Sequence, residues 1–179
     1  ILKIASSKVQ PILFLEALLY YSKIVKFTVS KIPISQQLQL LRILLLGMFL
    51  KNAKLLNDEF GIVPLMYGSL GLEYITNENL NADDIDILIP QAFIHEKWDE
   101  FKKTLINHGY VLVDEHEHTF RKNGFHCSYA SLEELESFAG INLMEISEQN
   151  QDDVQFKVLS LEQYLNVYTA SAKDGYRIN

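Results

Sequence analysis

A chain of 179 residues, 48% of them hydrophobic, is the length of one domain with ample material for a core, and it is too apolar to be disordered. Its formal net charge of −7 disfavours nucleic acid as a partner and leaves small polar substrates, nucleotides carried with a divalent metal, or a protein. The single cysteine, Cys127, excludes an internal disulfide framework and any multi-cysteine zinc site, and it fits a reducing, cytoplasmic setting.

Residues 1–34 read as an apolar N-terminal extension. Pro11 opens a helix to about Tyr21, and IVKFTV (24–29) alternates as a strand. Two stretches, 12–29 and 38–50, look membrane-like. Glu16, Lys23, Lys26 and Arg42 interrupt them, and neither reaches the roughly 18 uninterrupted apolar residues of a membrane span. They are expected to be core or interface helices. After the break at Pro33, Ser35 is the expected N-cap of a long helix to Phe60, with Gly61 as its stop. Because 38–56 is apolar on more than one side, that helix needs cover from the sheet and from either the N-terminal segment or a second subunit, which leaves a homodimer open.

IVPLMY (62–67) then reads as a buried strand ending at Gly68-Ser69. LGLEYI is a short helix, NENLNA a polar loop, and DDIDILI (83–89) a second strand closed by Pro90. A helix over 96–109 follows, then YVLVDEH and HTFRKNGFHCSYA as strands with a turn at Lys122-Asn123-Gly124. Ser131 and Glu134 suggest a capping box for a helix ending at Gly140, and Ser160 and Gln163 a second box for the last helix. VQFKVLS is the strand between them, whereas NLMEISE shows no clear element. The alternation predicts an α/β (α+β) domain over 35–179, a mixed sheet flanked by helices.

The chemistry concentrates between Tyr67 and Pro90. On a strand, Asp84 and Asp86 project from one face while Ile85, Ile87 and Ile89 line the other. Two adjacent carboxylates repel, and a hard divalent cation such as Mg²⁺ reverses that penalty. Asp83 falls on the opposite face, in a turn or cap role. Gly68-Ser69, between a strand and a helix, lets backbone N–H groups approach an anion, and Ser69 adds a hydroxyl. One element that receives phosphates beside another that receives their metal is what phosphoryl or nucleotidyl transfer needs.

With Tyr67-Gly68-Ser69 followed by Asp84-Ile85-Asp86-Ile87, the sequence resembles the nucleotidyltransferase superfamily, the DNA polymerase beta-like fold that includes the small-molecule and antibiotic nucleotidyltransferases. The likeness covers about residues 45–179, including a closing helix with Lys173, Asp174 and Arg177. It implies Mg²⁺ or Mn²⁺ on Asp84 and Asp86, a nucleoside triphosphate held by Gly68, Ser69 and Lys173 (or Arg177), and transfer of a nucleoside monophosphate to a hydroxyl of a small-molecule acceptor.

Active members carry a third carboxylate on a neighbouring strand. The corresponding segment here, FHCSYA (125–130), offers His126 and Ser128 instead, with Glu133, Glu134 and Glu145 nearby. The alternative is therefore a nucleotidyltransferase-like module that binds a nucleotide or a protein partner without turnover. His116 and His118 would share a strand face, but zinc needs a third protein ligand that the sequence does not point to.

Overall fold

The computed structural model describes residues 33–173, so the elements expected within 1–32, and Arg177, lie outside the described residues. Helix α1 (Ile34–Phe60) is continuous and ends at Gly61 in the left-handed conformation. Its N-cap is Pro33 rather than Ser35: the proline carbonyl accepts the amides of Gln36 and Gln37, so the helix starts two residues earlier than expected. The N-terminal segment expected to cover it lies outside the described residues. Residues 34–44 contain no fully buried side chain, while Leu45, Met48, Phe49, Ala53 and Leu56 are core.

Strand β1 (Leu65–Met66) is shorter than expected: Pro64 has no N–H to give to a ladder, though its carbonyl still accepts the Lys157 amide at 2.8 Å. It leads into α2 (Gly68–Thr76), then β2 (Ile85–Ile89), a short 3₁₀ turn at Gln91–Phe93, and α3 (Trp98–Asn107). Strands β3 (Val111–Asp114), β4 (Thr119–Lys122) and β5 (Phe125–Ser131) follow. Asn123 and Gly124, with φ of 52° and 89°, make the tight β4–β5 turn where the sequence placed it. The chain closes with α4 (Glu134–Ala139), β6 (Ser147–Gln151), β7 (Val154–Val158) and α5 (Leu161–Lys173).

The seven strands form one mixed sheet in the order β3-β4-β5-β2-β1-β7-β6. Strand β2 is antiparallel to β1 and parallel to β5, and β1 is parallel to β7. Ile85, Ile87 and Ile89 face one core together with α1 and α3 residues, including Phe101 and Leu105. Leu88 faces the other way, toward a second core that Leu135 of α4 and Tyr164 and Val167 of α5 share. The acidic strand is therefore central, apolar beneath and part-polar above.

One buried carboxylate fixes how the chain enters that strand. Glu73 of α2 is 1% exposed, and its Oε1 accepts the backbone amides of Leu80 at 2.7 Å and Ala82 at 3.0 Å. Its Oε2 makes no hydrogen bond but faces Arg42 Nε at 3.8 Å, and Arg42 also donates to the Glu73 carbonyl at 2.9 Å. The polar loop 77–84 is thus tied down two residues before Asp84. Glu73→Ala strands two amides and a cation and should cost roughly 2–4 kcal/mol. Glu73→Gln keeps an acceptor and should cost about 1 kcal/mol. Urea unfolding midpoints of the two variants against wild type check the order.

Candidate functional site

Gly68 opens α2 with φ of 62°, a backbone region that penalises any Cβ. There is a second reason for glycine: a Cβ at this position would overlap the Asp86 carboxylate. The turn is held against the strand by the Tyr67 amide, which donates to the Asp86 carbonyl at 3.0 Å. The Gly-Ser turn and the acidic strand are therefore in direct contact, and half-buried Ser69 lies in the first turn of α2.

Asp86 and Asp84 differ in their surroundings. Asp86 lies inside β2 and lines a cavity of about 400 Å³ on the upper face of the sheet. Asp84 sits just before β2, and its carboxyl is pushed above the usual carboxylate range by burial and by Asp83, with a smaller opposing pull from His126. His126 itself is exposed on β5, where it pairs with Arg121 of β4.

The strand expected to carry a third carboxylate is β5, and it does lie beside β2, in parallel. In the register, Asp86 pairs with Ser128, and Ser128 pairs in turn with Thr119 of β4. Cys127 and Tyr129 point into the lower core, so Ser128 shares the upper face with Asp86. The Ser128 and Thr119 hydroxyls are 2.9 Å apart and satisfy one another. No carboxylate occupies that position.

Of the nearby glutamates, Glu133 accepts the Gln91 amide at 2.8 Å and the Ser131 hydroxyl at 3.1 Å, and Glu145 accepts from Asn142 at 2.9 Å. Glu134 lines the Asp86 cavity. The capping box assigned to Ser131 and Glu134 is not formed: Ser131 turns to Glu133 instead, because α4 begins at Glu134 itself. The second box is formed, with the Ser160 amide donating to Gln163 Oε1 at 2.8 Å and the Gln163 amide to Ser160 Oγ at 3.2 Å.

The histidines are arranged differently from their sequence reading. Residues 115–118 are the β3–β4 turn rather than strand, since the Asp114 side chain accepts the amides of His116 and Glu117 at 2.9 and 3.1 Å and bends the chain there. His116 and His118 nevertheless line the Asp86 cavity, and His95 joins them from the segment after the 3₁₀ turn. His95 was missed because nothing in the local pattern FIHEKW links it to the acidic strand. Among the described residues no three His, Cys, Asp or Glu side chains gather as a metal-ligand set. Lys173 is not in this cavity: exposed at the end of α5, it lines a separate hollow with Ser137, Phe138 and Asn166.

The oxygen donors present suit a hard cation. Mg²⁺ takes one or two carboxylates and fills its shell with water and phosphate oxygens, so it needs no closed protein cage. Asp86 beside the bare backbone of Gly68 offers one such carboxylate, while Asp84, just before β2, does not line the cavity.

No helix of the described residues is long and apolar enough to cross a membrane. Over 129 residues the chain is 40% identical to the uncharacterized protein YnaI of Bacillus subtilis (strain 168), a match covering 72% of this chain and 83% of that protein. It belongs to the same family. No family profile and no solved structure matches the chain.

Two outcomes test the site's geometry. Gly68→Ala adds a left-handed alanine worth about 1–2 kcal/mol and forces the Asp86 carboxylate away, so chemical denaturation should show a loss of at least that size. At Asp84 the folded pKa lies above the unfolded one, so ionisation costs stability. That cost is complete above the folded pKa and vanishes below about pH 3.8, the unfolded value. In EDTA at pH 7, Asp84→Asn should therefore melt at or above the wild-type temperature, with the gap closing as the pH falls; a clearly lower melting temperature at pH 7 would contradict the burial argument.

Proposed function

We propose that this member of the family is a metal-dependent nucleotidyltransferase, which moves a nucleoside monophosphate from a nucleoside triphosphate to a hydroxyl of a small-molecule acceptor. The observation that carries the reading is the packing of Gly68 against Asp86, which sets an anion-receiving turn directly on a cation-receiving carboxylate. Topology supports it: the turn leaves β1, the carboxylates start the antiparallel neighbour β2, and β5 runs parallel on the far side.

In this reading Asp84 and Asp86 hold Mg²⁺ or Mn²⁺, which when bound neutralises phosphate charge and polarises the phosphoryl oxygens. The amides at the start of α2 and the Ser69 hydroxyl hold the triphosphate by hydrogen bonds and by the positive end of the helix dipole. The cavity along β2 and β5 receives the acceptor and shields it from bulk water. With Lys173 in another hollow, the cation itself carries most of the charge neutralisation.

A second reading, a binding module without turnover, is favoured by one observation: Ser128 faces Asp86 where a third carboxylate would sit. The enzyme reading and the nucleotide-binding form of the module both require metal-dependent nucleotide binding, whereas a module that binds a protein partner does not. Calorimetric titration with each nucleoside triphosphate should give saturable binding in Mg²⁺ that weakens at least tenfold in EDTA or in the double variant Asp84→Asn with Asp86→Asn. Equal affinity under all three conditions would reject the enzyme and the nucleotide-binding module. Pyrophosphate release in the bound state then separates the enzyme from the module.

A further inference from the structure

The cavity beside Asp86 is lined by three imidazoles and by Ser128, whose hydroxyl is tied to Thr119 of β4 where a proton acceptor is needed. Resting on the nucleotidyltransferase reading, we propose that His118 is the catalytic base of this protein, taking the proton of the acceptor hydroxyl in place of the missing third carboxylate.

Four independent features single out His118. It has a φ of 46°, a left-handed conformation that costs a non-glycine residue energy and marks a side chain held in place for a reason. Its ring stands edge-on to Trp98 with centroids 4.4 Å apart, which fixes the imidazole where His95 and His116 are exposed. Its carbonyl accepts the Tyr129 amide at 3.3 Å, and the next residue, Thr119, bonds Ser128, so it is anchored to the row that ends at Asp86. No hydrogen bond engages its ring nitrogens among the described residues, and the ring lines the cavity.

The charge balance favours the neutral, proton-accepting form. Burial, His95 and His116 hold its pKa below the ordinary histidine value, against weaker opposing pulls from Glu117 and Glu115. Glu115 is already paired with Lys102 of α3 at 2.6 Å, and Asp86 and Glu134 face the cavity from β2 and α4. At neutral pH the ring is therefore unprotonated, as a base must be.

The step balances without a further reactant. The acceptor O–H proton passes to an imidazole nitrogen of His118, the oxygen forms a bond to the α-phosphorus, and the bond from that phosphorus to the bridging oxygen breaks. Pyrophosphate leaves with the electron pair.

Water serves as the probe acceptor, with pyrophosphate release from the Mg²⁺-nucleoside triphosphate as readout. His118→Asn is the main variant because asparagine tolerates the left-handed backbone, and the turn stays braced by Asp114; His118→Gln is the second, and His108→Gln, at the exposed end of α3 and outside the cavity, the control. Wild type should show a rate that rises with pH along a limb centred below the ordinary histidine value. Both His118 variants should lose on the order of 100-fold in rate and lose that limb. They should keep the calorimetric nucleotide affinity, and imidazole added to His118→Asn should restore part of the rate. His108→Gln should stay within a few-fold of wild type. Wild-type rate and limb in either His118 variant overturns the assignment, as does a wild type that binds nucleotide yet releases no pyrophosphate at any pH. Absence of nucleotide binding overturns the underlying reading as well.

Discussion

Everything at the candidate site depends on one close approach, that of the Gly68 backbone to the Asp86 carboxylate. Without side-chain volume at residue 68, the start of α2 and the middle of β2 share a space that a methyl group would fill. The contact is braced from both sides. The Tyr67 amide binds the Asp86 carbonyl, and Gly71, one turn along α2, leaves room for the buried Tyr164 hydroxyl of α5. Two glycines three residues apart thus let one helix settle on the sheet and on α5 together. Tyr164 in turn feels the Asp86 charge, which helps to hold its phenol well above the usual tyrosine range, after burial as the main cause.

The second constraint is the path into β2. The polar loop 77–84 separates α2 from the acidic strand, and such loops are ordinarily free to drift. Glu73 prevents that by giving one carboxylate oxygen to two amides of the loop, with Arg42 of α1 alongside. Isolated carboxylates are costly to bury, so the hydrogen bonds and the nearby guanidinium explain why it is tolerated at 1% exposure. The side chain does not line the cavity, yet it fixes the loop that leads into Asp84.

What the sequence made legible is what local physics decides. The alternation in DDIDILI gives β2 its two faces, Asn123-Gly124 gives a turn, and Ser160 with Gln163 gives a cap; each survives because its partners lie within a few residues. Strand β6 escaped notice because SEQNQ is polar throughout: as an edge strand with mostly exposed side chains it has no core face to impose a period. The positive φ values of Asp152 and Asp153, which turn it back into β7, belong to residue types that fit a loop equally well. The gathering of His95, His116 and His118 depends on long-range sheet order, which no spacing in the chain encodes. The Ser131 box failed for a subtler reason, since Glu133 offers the same chemistry one residue nearer.

The electrostatics of the site give physical sense to a serine where a third carboxylate would stand. Asp84 already sits above its usual pKa through burial and the neighbouring Asp83. Another anion on β5, opposite Asp86, would raise the cost of ionising the group further and would have to be balanced by a more tightly held cation. Ser128 and Thr119 neutralise one another by a hydrogen bond and add no charge. In the proposed reaction Asp84 and Asp86 alone would hold a bare ion weakly, and a cation brought in with the nucleotide would supply the missing positive charge. The proton-accepting task then moves from a charged group beside the metal to a neutral imidazole farther along the same cavity, where it does not compete for the cation.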